Sequence, residues 1–140
     1  MKLSVIIPCK DEQDNVALIR DALEKELSNI NYELIFIDDG STDNTLIELK
    51  KLNNEFKSKV KVISFSRNFG KESAIYAGMQ NANGELISII DADLQQNPKY
   101  LIDMLNFLDN NPEFDQVAMK TEKRKKNFIM SFLSNAFYVI

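Results

Sequence analysis

Asp91-Ala92-Asp93 sets two carboxylates two positions apart at the end of an apolar run, Glu85 to Ile90. In an extended segment, residues i and i+2 point to the same side. Paired hard oxygen donors suit Mg²⁺ or Mn²⁺. Such an ion can bridge a diphosphate and offset the charge that develops on a leaving nucleotide diphosphate. Gln95, again two positions on, adds an oxygen ligand if the chain stays extended. An isolated Asp-x-Asp more often caps the next helix or faces solvent. The Leu94-Gln95-Gln96-Asn97-Pro98 continuation and a second acidic strand end shift that balance.

The second acidic segment is Asp38-Asp39-Gly40-Ser41-Thr42-Asp43. Gly40 permits a sharp turn. Ser41 and Thr42 can cap a following helix, and Asp43 favours its first turn. Local structure explains the Asp38-Asp39 pair less well. A carboxylate there can accept a hydrogen bond from a base N–H or a ribose hydroxyl. A third segment, Ser66-Arg67-Asn68-Phe69-Gly70-Lys71, puts Arg67 and Lys71 near a helix start. Both are candidates for phosphate or sugar contacts, since helix N-termini favour anions. Taken alone, that segment reads more simply as a plain loop leading into a solvated helix.

Other chemistries are excluded by residues the chain lacks. It has no histidine, which removes His-based triads, His metal sites and His acid–base catalysis. It has four glycines, and neither G-x-G-x-x-G nor the P-loop pattern occurs, so diphosphate binding calls for a metal. The net charge of −4 argues against a nucleic-acid binder. The single cysteine, Cys9, lies in an apolar run and reads as a buried, reduced thiol, which points to a cytoplasmic setting. The N-terminus is too soon interrupted for a signal peptide. No stretch reaches the roughly 18 apolar residues of a membrane span.

These segments need elements to position them. Leu3 to Pro8 reads as a buried strand stopped by proline. Asp14 to Leu27 has helical spacing through Val16, Leu18, Ile19, Leu23 and Leu27, with Asp11 or Asp14 as cap. Tyr32 to Ile37 is a second strand, followed by a helix through Leu46, Ile47, Leu49 and Leu52. Val60 to Phe65 and Glu85 to Ile90 are further strands, separated by a helix over Gly70 to Ala82. Pro98 to Leu108 is a fourth helix, with proline where a first turn tolerates it, and Phe114 to Met119 is a fifth strand. Alternation of this kind predicts an α/β domain, a mostly parallel sheet covered by helices on both faces. Ligands of such sheets bind beyond the carboxyl ends of the strands, where all three polar segments fall.

The order and spacing resemble family 2 glycosyltransferases over nearly the whole chain. The likeness rests on Val5-Ile6-Ile7-Pro8 with Glu12 and Asn15, Asp38-Asp39-Gly40-Ser41-Thr42-Asp43, Ser66-Arg67-Asn68-Phe69-Gly70-Lys71, and Asp91-Ala92-Asp93-Leu94-Gln95 with Pro98. It is nearest to the dolichyl- and undecaprenyl-phosphate sugar transferases. The resemblance implies a GT-A fold and an inverting transfer from a UDP- or GDP-sugar to a polyprenyl phosphate. It implies that Pro8, Glu12 and Asp39 line the nucleotide pocket. It also implies that Asp91, Asp93 and Gln95 hold the ion, with Asp93 the catalytic residue. An acceptor phosphate is already ionised near neutral pH, so the missing histidine is no obstacle.

The chain departs from the family at Lys10 and Asp11, where Tyr-Asn is common, and around Met119 to Arg124, where arginines are common. Ser134 and Phe137-Tyr138 again resemble the family, after which the chain reads as C-terminally truncated. The expected division is a nucleotide-sugar-binding core over 1–119 and a basic, apolar segment over 120–140. Lys120 to Lys126, followed by Phe128, Ile129, Phe132 and Leu133, reads equally as an interfacial helix on a membrane or as a helix seeking a packing partner. The first reading places the chain peripherally on the cytoplasmic face. Within the same family, a saccharide acceptor is the alternative to a lipid phosphate, and a nucleotide-binding fragment without turnover is another. A phosphoacceptor receiver domain fits poorly, because its acid pair follows the first strand rather than the second and fourth.

Overall fold

The computed structural model describes residues 2–118. The basic cluster and apolar tail of 120–140 lie outside the described residues, as does Met1. Four strands alternate with four helices: β1 (Lys2–Cys9), α1 (Val16–Leu27), β2 (Asn31–Asp38), α2 (Thr45–Glu55), β3 (Val60–Ser64), α3 (Lys71–Gln80), β4 (Leu86–Ile89) and α4 (Lys99–Asn110). The sheet order is β3-β2-β1-β4, and every pairing is parallel. The order changes direction after β3. Right-handed crossovers therefore put α1 and α2 on one face and α3 on the other.

Each face has its own core. Leu3, Val5 and Ile7 of β1 meet Ile19 and Leu23 of α1, Leu49 of α2 and Leu101 of α4 in one cluster. Ile6, Ile35 and Ile37 meet Ala74 of α3 in the other. Gly78 lets α3 lie close to the sheet, since a Cβ there would stand 2.5 Å from Ile6 Cγ2. The central strand β2 is buried along nearly its whole length, as a fully flanked parallel strand requires.

Several expectations need correction. β1 does not stop at Pro8 but runs on to Cys9, paired with Asp38. Ile6 O accepts Ile90 N on the β4 side, and Pro8 faces that same side beyond the end of β4. Its missing N–H therefore leaves no ladder bond unmade. Leu18 is exposed because the buried stripe of α1 is Val16, Ile19, Leu23 and Leu27. Helices flank both faces of the sheet as expected, and among the described residues Ile87 and Ile89 of β4 stay exposed beside α3. Residues 114–118 form no strand. Phe114 instead folds back on Phe107 of α4, ring centroids 5.8 Å apart, and no described strand lies beside these residues. Among the described residues, no helix is long and apolar enough to cross a membrane.

Candidate functional site

The loops after β1, β2, β3 and β4 all emerge at the carboxyl rim of the sheet. The first two are knitted together by side chains acting across about 30 residues. Asp11 Oδ1 accepts Thr42 N at 2.7 Å and Thr42 Oγ1 at 3.1 Å. Ser41 Oγ accepts Asp11 N at 3.0 Å, and Thr45 Oγ1 accepts Glu12 N at 2.7 Å. Asp43 Oδ2 accepts Gln13 N, and Gln13 Oε1 accepts Asn44 N. Ser41 and Thr42 therefore do not cap α2, whose N-cap is Asn44. Asp43 serves its first amide instead, accepting Thr45 N at 2.9 Å. Neither Asp11 nor Asp14 caps α1, whose N-cap is Asn15. Asp11 is occupied with Thr42, whose amide holds its carboxyl below the usual carboxylate range. Glu12 Oε2 accepts Asn15 Nδ2 at 2.6 Å, so this carboxylate braces the start of α1.

The acid pair after β2 is buried and fully engaged. Asp38 accepts Ser41 N and the Ser64 hydroxyl. Asp39 Oδ1 accepts Phe69 N at 2.7 Å, and its Oδ2 accepts Gly70 N at 3.0 Å. The sequence offered Asp39 to a base or ribose; in this structure its carboxylate anchors the loop that carries Arg67. Asp39→Ala strips two backbone amides of their acceptor, which costs about 1–3 kcal/mol. Amide hydrogen exchange should show Phe69 and Gly70 opening about tenfold faster or more, with Asp39→Asn intermediate.

Arg67 lies over the Phe69 ring, 4.7 Å from its centroid, and Phe69 meets Phe65 edge-on. A cleft of about 580 Å³ opens between these loops, lined among others by Lys10, Asp38, Gly40, Ser41, Arg67 and Asn68. Lys10 donates to Gly40 O at 2.7 Å. The sequence places Lys10 at the rim, in the segment Pro8 to Glu12 directly after a strand end, and its contact with Gly40 is what only the structure adds. Cys9 is buried beneath this rim, and burial pushes its thiol pKa upward. It is a structural residue, not a nucleophile.

After β4, Ala92 turns inward between Asp91 and the exposed Asp93. The chain then turns, with Leu94 in the left-handed region at φ 60°. Asp93 Oδ1 accepts Gln95 N at 3.0 Å, and Asp91 Oδ2 accepts Gln96 Nε2 at 3.2 Å. The extended run that would have aligned Gln95 with Asp91 and Asp93 is therefore absent. Lys71, the first residue of α3, reaches Asp91 Oδ1 at 2.5 Å. The structure thus joins Lys71 to Asp91, and Asp39 to the Arg67 loop. Pro8 and Glu12 sit at the end of β1 and the start of α1, outside the lining of the cleft.

The donor set suits a hard divalent ion. Asp91 already holds a cationic group, the Lys71 ammonium, and Asp93 is open to solvent. Among the described residues, no cluster of three or more His, Cys, Asp and Glu side chains could hold a metal. Asp91 and Asp93 are thus the two carboxylates that could be offered to such an ion, and ligand oxygens or water would have to complete its shell.

The sequence model described as Glycosyl transferase family 2 matches residues 4–135. CsbB of Bacillus subtilis (strain 168) is 45% identical over 139 residues, covering 97% of this chain and 41% of that protein. The dodecaprenyl-phosphate galacturonate synthase of Rhizobium johnstonii is 30% identical over 132 residues, covering 93% of this chain and 39% of that enzyme. The chain spans less than half the length of these curated relatives. Among solved structures, the mannosyltransferase PcManGT from Pyrobaculum calidifontis, in complex with GDP-Man and Mn²⁺, superposes with a TM-score of 0.66. It is 22% identical and covers 76% of this chain and 32% of that one, a likeness of fold.

Proposed function

The chain belongs to glycosyl transferase family 2 and has the GT-A fold, and from that premise we propose that it is the donor-binding part of a sugar transferase. The transferase is inverting and metal-dependent, and it moves a sugar from a nucleotide diphosphate sugar to a polyprenyl phosphate. The observation that carries this reading is the meeting at one rim of the Arg67 cleft and the Asp91–Asp93 turn, joined through Lys71. Relatives whose names specify dodecaprenyl-, undecaprenyl- and dolichol-phosphate products or acceptors support the lipid phosphate.

In this reading Asp91 and Asp93 hold Mg²⁺ or Mn²⁺, with Gln95 reaching it only if the turn at Leu94 rearranges. When bound there, such an ion would supply positive charge against the departing diphosphate. Lys10 and Arg67 receive anionic parts of the UDP- or GDP-sugar in the cleft. Asp39 acts by fixing the loop that presents Arg67, and Pro8 and Glu12 fix the floor between β1 and α1. A phosphate oxygen of the acceptor attacks the anomeric carbon, the bond from that carbon to the donor diphosphate breaks, and the configuration inverts. That oxygen is already ionised, so no side chain need remove a proton. A chain without histidine is compatible with such chemistry. The site then works at the cytoplasmic face of a membrane, with residues 1–119 as the donor-binding core and the basic, apolar segment 120–140 as the start of the acceptor or membrane-interface region.

Thermal shift with UDP- and GDP-sugars, each with and without Mn²⁺ or Mg²⁺, tests the donor site on the 140-residue chain. Ligand at about 100 times its Kd stabilises the native state by roughly 2.7 kcal/mol, a rise of several degrees. The rise is expected with one nucleotide, only with metal, and is lost in Asp93→Ala. A folded sample that responds to no donor would refute the reading.

A further inference from the structure

We propose that the Lys71 ammonium and the divalent ion compete for Asp91, so that Lys71 sets the metal affinity of the donor site. The inference rests on the reading of Asp91 and Asp93 as ion ligands. Lys71 is the first residue of α3. A cation there opposes the helix macrodipole, which favours acidic groups in the first turn. Local helix energetics therefore do not account for a lysine at this position. Its ammonium is neutralised by a partner 20 residues away, Asp91 Oδ1 at 2.5 Å.

The other Asp91 oxygen accepts the Gln96 side-chain amide. Both carboxylate oxygens thus face hydrogen-bond donors. A divalent ion needs their lone pairs and repels an ammonium at the same oxygen. Lys71 must leave before Asp91 can bind the ion fully. The side chain is half-exposed, so it can swing into solvent without disturbing the core. Once released, it stands at the start of α3 beside a site that receives phosphate. One cation is exchanged for another at Asp91, and the freed ammonium becomes available to the donor.

The test is Mn²⁺ binding to the 140-residue chain, followed by electron paramagnetic resonance without nucleotide. Wild type, Lys71→Met and Asp93→Ala are compared, each with its melting temperature in the absence of metal. Lys71→Met is expected to bind Mn²⁺ about fivefold tighter, the equivalent of the ~1 kcal/mol that a partly exposed ion pair contributes. Raised ionic strength should narrow that difference, because it screens the competing pair. Its metal-free melting temperature should fall by no more than the few degrees that loss of this same pair accounts for, which separates competition from a wider change in folding. Equal or weaker binding by Lys71→Met, with a wild type that binds and an Asp93→Ala that does not, overturns the competition and leaves the donor-site reading standing. Absence of Asp93-dependent binding in both wild type and Lys71→Met overturns the inference, and the donor-site reading falls with it only if the thermal shifts with metal and nucleotide together are absent too.

Discussion

Glu33→Gln is expected to lower stability at neutral pH by about 2–3 kcal/mol. Glu33 lies in β2 at 3% exposure, with its carboxylate at the meeting point of several elements. Its Oε1 accepts the Ser4 hydroxyl of β1 at 2.7 Å and Asn83 N, before β4, at 2.7 Å. Its Oε2 pairs with Lys61 of β3 at 2.9 Å and with Lys2 at 3.5 Å. Ser4 Oγ in turn accepts Gly84 N at 2.8 Å. Burial alone raises the Glu33 pKa, but Ser4, Lys61 and the Asn83 amide outweigh it and hold the carboxyl at about 2.

A folded-state pKa below the unfolded value of 4.5 gives a definite sign. The stabilisation is fully present above pH 4.5 and is lost as pH falls toward 2. Lys2 and Lys61 are partly exposed, so water screens their share, and roughly 2–3 kcal/mol is the fair expectation for the whole. Urea unfolding at pH 7 and pH 3 checks it. Wild type should lose much of its stability between the two. Glu33→Gln should start lower and change less. Equal midpoints for the two proteins at pH 7 would show that the network contributes nothing.

Glu33 also marks where the sequence is legible and where it is not. The strands were readable because parallel strands buried on both faces leave continuous apolar runs, and a lone carboxylate inside Tyr32 to Ile37 was the available sign of a buried partner. The helices were readable from apolar spacing, although Leu18 fits that spacing and still faces water. The rim was placed correctly because α/β alternation fixes which strand ends converge. Side-chain partners were a different matter. Ser41 and Thr42 have the composition of caps, yet they bind a loop about 30 residues earlier in the chain. Asp39 has the position of a ligand contact, yet both its oxygens are given to Phe69 and Gly70. The turn at Leu94 removed the extended geometry on which Gln95 depended. Each of these outcomes is decided by long-range approach of loops, which local windows do not contain.

Gly40 offers the most direct test of that approach. It has φ +63°, and a Cβ built on it would stand 2.3 Å from Arg67 C, 2.6 Å from Arg67 Cα and 2.6 Å from Asn68 N. These neighbours are backbone, so no rotamer change relieves the overlap. Gly40→Ala therefore combines left-handed strain of about 1–2 kcal/mol with displacement of the loop after β3. We expect a total loss of about 3 kcal/mol or more. Because Arg67, Asn68 and Gly40 line the same cleft, nucleotide-dependent thermal shifts should fall as well. Gly70→Ala is the matched control. Its φ is +96°, but the nearest atom to an added Cβ is the flexible Glu72 Oε2, 3.7 Å away. With ψ 158° it lies in a region that only glycine readily occupies, so it carries backbone strain of about 1–3 kcal/mol without overlap, and the cleft is preserved. A fall in nucleotide-dependent thermal shift with Gly40→Ala and not with Gly70→Ala isolates the Gly40–Arg67 contact. If Gly40→Ala leaves both stability and nucleotide-dependent shifts near wild type, the loops after β2 and β3 do not meet closely, and the cleft between them loses its wall.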